Sequence, residues 1–147
     1  MAMQPKRRKY IKDFRGKMRG VSSRGAELSF GEFGLKAQEV AWVTGQQIEA
    51  ARRAITHELR KGGRVWIRIF PDKPVSAKPA GKRMGGGKGD IAKHVVTVRP
   101  GRILFEVAGA TEEIVKLAFA RAAAKLPIKT KFITAFKNTP QGIAETN

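Results

Sequence analysis

A glycine-rich stretch near the middle of the chain, KRMGGGKGD, combines four glycines with three cations and has the composition of a phosphate-binding loop. A Walker A nucleotide loop requires G-x-x-x-x-G-K-[ST] between a strand and a helix. Here Lys88 is followed by Gly89 rather than by a hydroxyl residue, and the sequence downstream alternates as a strand does. A dinucleotide fingerprint fails as well, because no helix follows the glycines. The stretch therefore indicates phosphate contact without a nucleotide pocket.

Other side chains that catalyse reactions or bind metals lack the partners they need. His57 and His94 fall on a predicted helix and a predicted strand without a Ser partner, and the chain has no cysteine. Neither H-x-x-x-H nor D-x-D spacing occurs, and the acids show no paired acid–base pattern. We therefore expect no catalytic residues, no metal, no cofactor and no small-molecule substrate.

Net charge is the most informative property of the chain. Its 147 residues include 30 Lys plus Arg against 12 Asp plus Glu, a net charge of +18. Such a charge opposes compaction and indicates a polyanionic partner. Residues 1–25 carry +8 and residues 61–100 carry +8, whereas residues 26–60 carry −1. No lipidation motif or basic amphipathic helix is evident, so nucleic acid is favoured over a membrane.

The chain is predicted to be one domain with extensions. Residues 1–25 lack hydrophobic periodicity and are expected to form a basic arm, in which Tyr10 and Phe14 could stack on bases. Residues 26–136 are expected to form the globular domain, with a projecting loop over 71–92, and residues 137–147 a flexible tail. The N-terminus lacks the apolar stretch of a signal peptide, so a cytoplasmic location is expected.

Hydrophobic periodicity predicts the elements that must position the cations. Ala26–Ala37 is predicted as a strand with a bulge at Gly31, and a short AWV strand follows. A capping box at Thr44 predicts a helix that buries the stripe Ile48, Ala51, Ile55 and Leu59. The cations on the opposite face of this helix could face either solvent or phosphate. Arg64–Phe70 is predicted as a strand, with Trp66 more often half-buried than a base-stacking platform.

The second half of the chain is predicted to add a hairpin, a helix and a strand. The hairpin covers His94–Ala110, with a type II turn at Pro100-Gly101. The helix begins at Thr111, and the last strand covers Lys129–Phe136. The apolar face of this helix is predicted to contain Ile114, Leu117, Ala118, Arg121 and Ala122. Together the elements predict an α+β fold, with one mixed or antiparallel sheet layer and two helices on one side. An arm and a loop suit structured RNA better than duplex DNA, because no helix that would read a major groove is evident.

Several long motifs resemble, in the same order, the bacterial-type large ribosomal subunit protein sixteen family. They span about Met3 to Phe132 and read QPKRRKY, RGKMRGV, SFGEFGLKA, QIEAARRAI, RKGGRVWIRIFPDKPV, RMGGGKG and KLPIKTKF. The resemblance implies an α/β hammerhead fold bound to 23S ribosomal RNA below the central protuberance. It also implies other large-subunit proteins as neighbours, late joining during assembly, and contact with aminoacyl-site transfer RNA, with peptidyl-site transfer RNA as a further candidate. The implied location is a ribosome, either cytoplasmic or organellar.

The resemblance also implies which positions bind ribosomal or transfer RNA. They are cations of the arm, two arginines of the first helix, and residues of the loop: Lys6, Arg7, Arg8, Lys9, Lys12, Arg15, Lys17, Arg19, Arg24, Arg52, Arg53, Lys73, Lys78, Lys82, Arg83, Met84 and Lys88. The chain departs from the family pattern at Gly86, where a cation is usual, and at His94, where an aromatic residue is usual. Arg83 matches an arginine that carries an oxidative modification in some members.

Two other functions remain open from the sequence. One is a free RNA chaperone or assembly factor, which would be present far below one copy per mature subunit. The other is a nucleotide-using enzyme built on the glycine-rich stretch, in which Lys88 would bind phosphate.

Overall fold

Nine regular elements form the described part of the chain, residues 3–60 and 62–135, in a computed structural model. They are β1 (Phe33–Ala37), β2 (Ala41–Thr44), α1 (Gly45–Leu59), β3 (Arg64–Ile67), β4 (Lys73–Ala77), β5 (Asp90–Val98), β6 (Ile103–Ala108), α2 (Glu112–Ala123) and β7 (Thr130–Thr134). The strands form two antiparallel sheets, one of order β3-β6-β1-β7 and one of order β2-β5-β4. The α+β prediction is confirmed, but the expectation of a single sheet layer is wrong. Neither helix in these residues combines the length and apolar character needed to cross a bilayer.

Helix α1 forms where its capping sequence predicts. The Thr44 hydroxyl accepts a hydrogen bond from the Gln47 backbone N–H at 3.3 Å, and the Gln47 side chain accepts one from the Thr44 N–H at 2.9 Å. This reciprocal pair satisfies two N–H groups that a helix start otherwise leaves unbonded. The predicted stripe is buried in full, namely Ile48, Ala51, Ile55 and Leu59. It packs into a core shared with α2, β1 and β6.

Strands β5 and β6 are joined by the predicted turn, but they do not pair with each other. The Arg102 N–H donates to the Arg99 carbonyl at 3.2 Å, and Gly101 has φ +91°, as a type II turn requires. The Gly101 N–H also donates to the Ala37 carbonyl at 2.8 Å, at the end of β1. The chain therefore passes from one sheet to the other at this turn, and the hairpin predicted over 94–110 is wrong. Alternation identifies a strand but not its partner.

The range 71–92, predicted as a loop, contains strand β4 and the start of β5. Proline argues against a strand because it cannot donate to a sheet ladder, but it is tolerated at a sheet edge. β4 is such an edge, and its Pro74 pairs in register with His94. We call β4, β5 and the connecting residues 78–89 the hairpin.

Helix α2 buries only part of the predicted stripe, its two alanines, and buries other large apolar residues than those predicted. Val115, Phe119, Ala118 and Ala122 are buried, while the side chains predicted to be buried at 114 and 117 are 43% and 49% exposed. Both the predicted stripe and the buried one have helical spacing. In the buried stripe, Phe119 contacts Phe132 of β7, with ring centroids 6.0 Å apart. The Thr111 side chain makes no capping hydrogen bond.

Three predicted strands are shorter than expected. β1 begins at Phe33 rather than at residue 26, and its bulge lies between Leu35 and Lys36 rather than at Gly31. The backbone N–H groups of residues 29–31 donate to a buried carboxylate, whereas the Glu32 N–H donates to the Val107 carbonyl of β6. β3 ends at Ile67 and β7 at Thr134. Phe136 and the predicted tail at 137–147 lie outside the described residues.

Candidate nucleic-acid interface

The arm lies along the hairpin and is bound to it by lysines. The Lys73 ammonium, on β4, donates to the Phe14 carbonyl at 2.8 Å. The Lys88 ammonium, in the connection of the hairpin, donates to the Asp13 carbonyl. Two predicted RNA-binding lysines therefore contact the arm itself, and the arm and hairpin form a single surface.

Further ion pairs join the same two segments. The Lys12 ammonium donates to the Lys88 carbonyl at 3.3 Å and lies 3.6 Å from the Asp90 carboxylate. Within the arm, the Arg8 guanidinium lies 2.8 Å from the Asp13 carboxylate. Protein carboxylates and carbonyls already contact these cations. Fewer cations than the sequence suggests are therefore available to an external phosphate.

Aromatic side chains are interleaved with the cations of the arm. Phe14 is 90% exposed, with the Lys88 ammonium 5.6 Å from its ring centroid. The Arg15 guanidinium lies 5.4 Å from the Trp42 ring centroid, beside a crevice of about 190 Å³ between arm and hairpin. An exposed ring beside a cation, as at Phe14, suits bases and phosphates of single-stranded nucleic acid.

The tip of the hairpin, residues 82–87, presents side chains on a tightly curled backbone. Gly85, Gly86 and Gly87 have φ of +100°, +73° and +81°, and no atom lies within 4 Å of a Cβ built on any of them. The positive φ angles therefore favour glycine at these positions. A Cβ atom would not clash with any neighbouring atom there. The Lys78 ammonium donates to the Gly85 carbonyl at 2.6 Å and holds the curl. Met84 is fully exposed.

The structure separates the sixteen predicted RNA-binding cations into two groups. Seven of these sixteen cations are exposed and make no side-chain hydrogen bond, ion pair or ring contact within residues 3–60 and 62–135. These are Lys6, Arg7, Lys17, Arg19, Arg24, Lys82 and Arg83. The other nine contact groups of the protein: Arg8, Lys9, Lys12, Arg15, Arg52, Arg53, Lys73, Lys78 and Lys88. We call the first group the unpaired cations; all of them lie in the arm or the tip.

The two arginines of α1 share one carboxylate. Arg52 makes two hydrogen bonds to Glu49, at 2.8 and 2.7 Å, and the Arg53 Nε donates to the same carboxylate at 3.2 Å. The hydrogen bond from Arg52 is the main cause that lowers the pKa of Glu49 to about 2. Arg53 also lines a cavity of about 530 Å³ together with His94 of β5. The structure thus brings α1 beside the hairpin, with part of its charge neutralised.

The sequence analysis missed the buried ion pair of Arg68 with Glu106, and also the exposed ring of Phe30 next to Arg68. Glu106, on β6, is fully buried and forms an ion pair with Arg68, and it accepts backbone N–H donors from Ser29, Phe30 and Gly31. Burial raises the pKa of Glu106, but these donors outweigh it and hold the pKa below the ordinary value. A lone Glu within an apolar strand was the available signal.

No group of three or more His, Asp or Glu that could hold a metal occurs within residues 3–60 and 62–135.

Comparison with known proteins gives two findings. The family model described as ribosomal protein L16p/L10e matches residues 5–133. A curated relative, the large ribosomal subunit protein uL16c of Solanum bulbocastanum, is 53% identical over 131 residues, covering 89% of this chain and 98% of the relative.

Proposed function

The chain belongs to the ribosomal protein L16p/L10e family, and from this premise we propose that it binds 23S ribosomal RNA near the aminoacyl site and contacts aminoacyl-site transfer RNA. Family membership makes it a structural constituent of the large ribosomal subunit, which serves translation, rather than an enzyme. Its partners are therefore ribosomal RNA and other large-subunit proteins.

The observation that carries this proposal is that the unpaired cations of the arm and the tip are exposed and have no acceptor within residues 3–60 and 62–135. A phosphate that approaches them displaces no protein acceptor, and each phosphate contact releases counterions from the RNA. The seventeen residues named from the sequence then divide by role. We propose that the unpaired cations and Met84 touch RNA directly, and that most of the paired ones fix the arm on the hairpin.

The tip suits contact with a ligand that comes and goes, as transfer RNA does. Lys82, Arg83 and Met84 are exposed at the end of a hairpin whose two strands anchor it in a sheet. We therefore assign ribosomal RNA to the arm and transfer RNA to the tip. Aminoacyl-site transfer RNA is the primary candidate, and peptidyl-site transfer RNA is the second. We also propose that the protein supports late assembly of the subunit, because its arm would bind RNA segments that are already in place.

We propose that the functional units are the arm, residues 1–25, the globular domain, residues 26–136, and a tail, residues 137–147. Lys73 and Lys88 join the first unit to the second.

The first test is co-sedimentation with large subunits in high-magnesium buffer. We expect about one copy per mature subunit; recovery only in the free fraction would contradict the proposal. A copy number far below one would favour the assembly factor that the sequence left open. The nucleotide-using enzyme is not supported, because the family is a structural component of the ribosome.

A second test concerns transfer RNA. Subunits that lack the protein are reconstituted with wild type or with Lys82→Ala/Arg83→Ala, and aminoacyl-site transfer RNA binding is measured. The matched control is Lys116→Ala/Lys125→Ala, which removes the same charge from α2 and the residues just after it. We expect weaker transfer RNA binding with the tip variant alone; equal binding with both variants would remove transfer RNA from the proposal.

A further inference from the structure

The outer face of the four-stranded sheet carries a surface that is separate from the arm and the hairpin. Its inner face packs on the helices through residues such as Leu35 and Phe105. Because strand residues alternate between faces, Gly34 and Glu106 point the other way. The segment 26–31 crosses this outer face, and a Cβ built on Gly34 would lie 2.5 Å from the Leu28 side chain.

Phe30 is exposed in this segment and is held rigidly. It is 60% exposed, although it is a large apolar side chain. Its backbone N–H donates to Glu106 at 2.7 Å, and its ring stacks on Trp66 with centroids 6.2 Å apart and planes 19° apart. The Arg68 guanidinium lies 5.1 Å from the ring centroid. An aromatic ring fixed in this way loses little conformational entropy when a planar ligand stacks on it.

The charges around Phe30 favour an anionic partner. Arg64 is exposed and lies on the same strand face as Trp66, two residues away. Arg102 donates to the carbonyls of Arg24 and Arg68, at 2.8 and 3.2 Å, so a further cation stands at this end of the face. Arg68 itself is neutralised by its buried partner.

A groove of about 720 Å³ continues along the same face to the other edge of the sheet. Its lining includes apolar side chains, Leu28, Phe132 and Ile133, together with two cations. The cations, Lys36 and Lys131, are register partners on β1 and β7. Neither lysine has a hydrogen bond or ion pair within residues 3–60 and 62–135. The acid in its lining is Glu27. The face thus combines a fixed aromatic ring with an excess of cations.

We propose that this outer face binds an unpaired segment of RNA, with a base stacked on Phe30 and the phosphates of the segment over Lys36 and Lys131. This inference rests on the proposed function, because it presumes that the chain is an RNA-binding protein of the ribosome. Stacking on an aromatic ring requires an unstacked base, so a duplex does not satisfy the site. A protein partner is disfavoured, because the ring is bordered by cations rather than by further exposed apolar side chains.

The experiment uses the full chain and two probes: a twelve-nucleotide oligoadenylate that contains 2-aminopurine, and the same strand annealed to oligouridylate. The variants are Phe30→Ala and Phe30→Leu, which remove the aromatic ring, and Phe30→Tyr, which keeps it. Leu117→Ala, which truncates a comparably exposed apolar side chain on α2, is the matched control. Phe30→Leu keeps the test valid if the alanine variant unfolds.

We expect the Phe30→Ala and Phe30→Leu variants to bind the single strand on the order of tenfold more weakly than wild type. They should lose the quenching of 2-aminopurine, with little change in duplex binding. Phe30→Tyr and Leu117→Ala should behave as wild type does. Ultraviolet cross-linking of the single strand should label the tryptic peptide at residues 25–36. The double variant Lys36→Ala/Lys131→Ala should reduce the salt dependence of binding, whereas the control double variant Lys116→Ala/Lys125→Ala should not.

Several outcomes would overturn the inference. These are unchanged affinity in both ring-removing variants, absent quenching with wild type, or a loss confined to binding of other large-subunit proteins, which would make the face a protein interface. Failure here is distinct from failure of the proposed function. If Lys82→Ala/Arg83→Ala weakens RNA binding while the Phe30 variants do not, only the outer-face site is rejected. If the wild-type chain does not join large subunits, the proposed function is rejected.

Discussion

The hairpin tip and the pair of Arg68 with Glu106 place the same chemical group, an arginine side chain, in opposite situations. Arg83 is exposed at the tip and has no partner in the described part of the chain. Arg68 has a side chain only 17% exposed and faces a carboxylate that is fully buried. The first cation is available to a ligand, whereas the second one stabilises the fold. The nearest acceptor, not the residue type, therefore determines what an arginine does in this protein.

Helix α1 lies between these two extremes. Arg53 is an exposed cation beside the hairpin, but it shares the carboxylate of Glu49 with Arg52. Its charge is thus partly neutralised without being buried. The comparison of tip, helix and buried pair predicts a graded series of mutational effects.

The largest effect is expected when the buried pair is broken. Arg68→Ala leaves the Glu106 carboxylate buried without its cation, which should lower the free energy of unfolding by about 3 kcal/mol. Arg64→Ala, on the same strand but exposed, should change it by no more than about 0.5 kcal/mol. Urea denaturation of both variants measures the difference, and equal midpoints would show that the pair contributes nothing.

The next effect is a loss of stability in acid. The pKa of Glu106 is lower in the folded chain than in the unfolded one, so its contribution is complete above the unfolded pKa, near 4.5. That contribution is lost as the pH falls through the folded pKa. The stability difference between wild type and Glu106→Gln should therefore shrink below about pH 4.5. A difference independent of pH between 7 and 3 would contradict this assignment. Glu39 and Glu49 add acid sensitivity to both proteins alike, since the pKa of each is also lowered.

A smaller effect, on binding rather than on stability, distinguishes the tip from the helix. Lys82→Ala/Arg83→Ala should reduce the magnitude of the slope of log affinity against log salt by about 2, with a nearly unchanged melting temperature. Glu49→Gln releases both α1 arginines from their ion pairs and should increase the magnitude of the same slope by about 1. Filter binding of 23S ribosomal RNA over a salt series provides the measurement. An unchanged slope in Glu49→Gln would mean that these arginines do not face RNA.

The smallest effect is expected at the junction of arm and hairpin. Lys88→Ala removes one exposed hydrogen bond to the Asp13 carbonyl, which should cost about 0.5–1 kcal/mol locally and leave the melting temperature nearly unchanged. Faster proteolysis of the arm should reveal the change, with Lys93→Ala, also in the hairpin, as control. A large fall in the melting temperature would show that the arm is part of the cooperative fold.

Local signals explain which predictions succeeded. The capping box and the 3.6-residue stripe define α1 within its own sequence, because a helix bonds residues four apart. The turn at Pro100-Gly101 was predictable for the same reason, since proline fixes one torsion and glycine allows the other. The clustering of cations in the arm and the tip is visible in the sequence itself, and their contact with RNA stays a prediction.

Predictions failed where the partner of a residue is distant in sequence. Alternation marked β5 and β6 as strands, but their neighbours in two different sheets are set by packing. Two stripes of α2 had helical spacing, and contact with β7 accompanies burial of Phe119. No local pattern showed that Glu106 accepts N–H groups from residues more than seventy positions away.

The sequence alone determined the charge of this protein, its single domain class of α+β, its family resemblance and the segments that carry its cations, because these are properties of composition and short-range spacing. Tertiary structure decided which of those cations are unpaired, that Phe30 is an exposed ring fixed above Trp66, and that the hairpin binds the arm. The physical reason is that a hydrogen bond or an ion pair depends on distance in space. A cation is available to RNA only if folding has not already brought an acceptor to it.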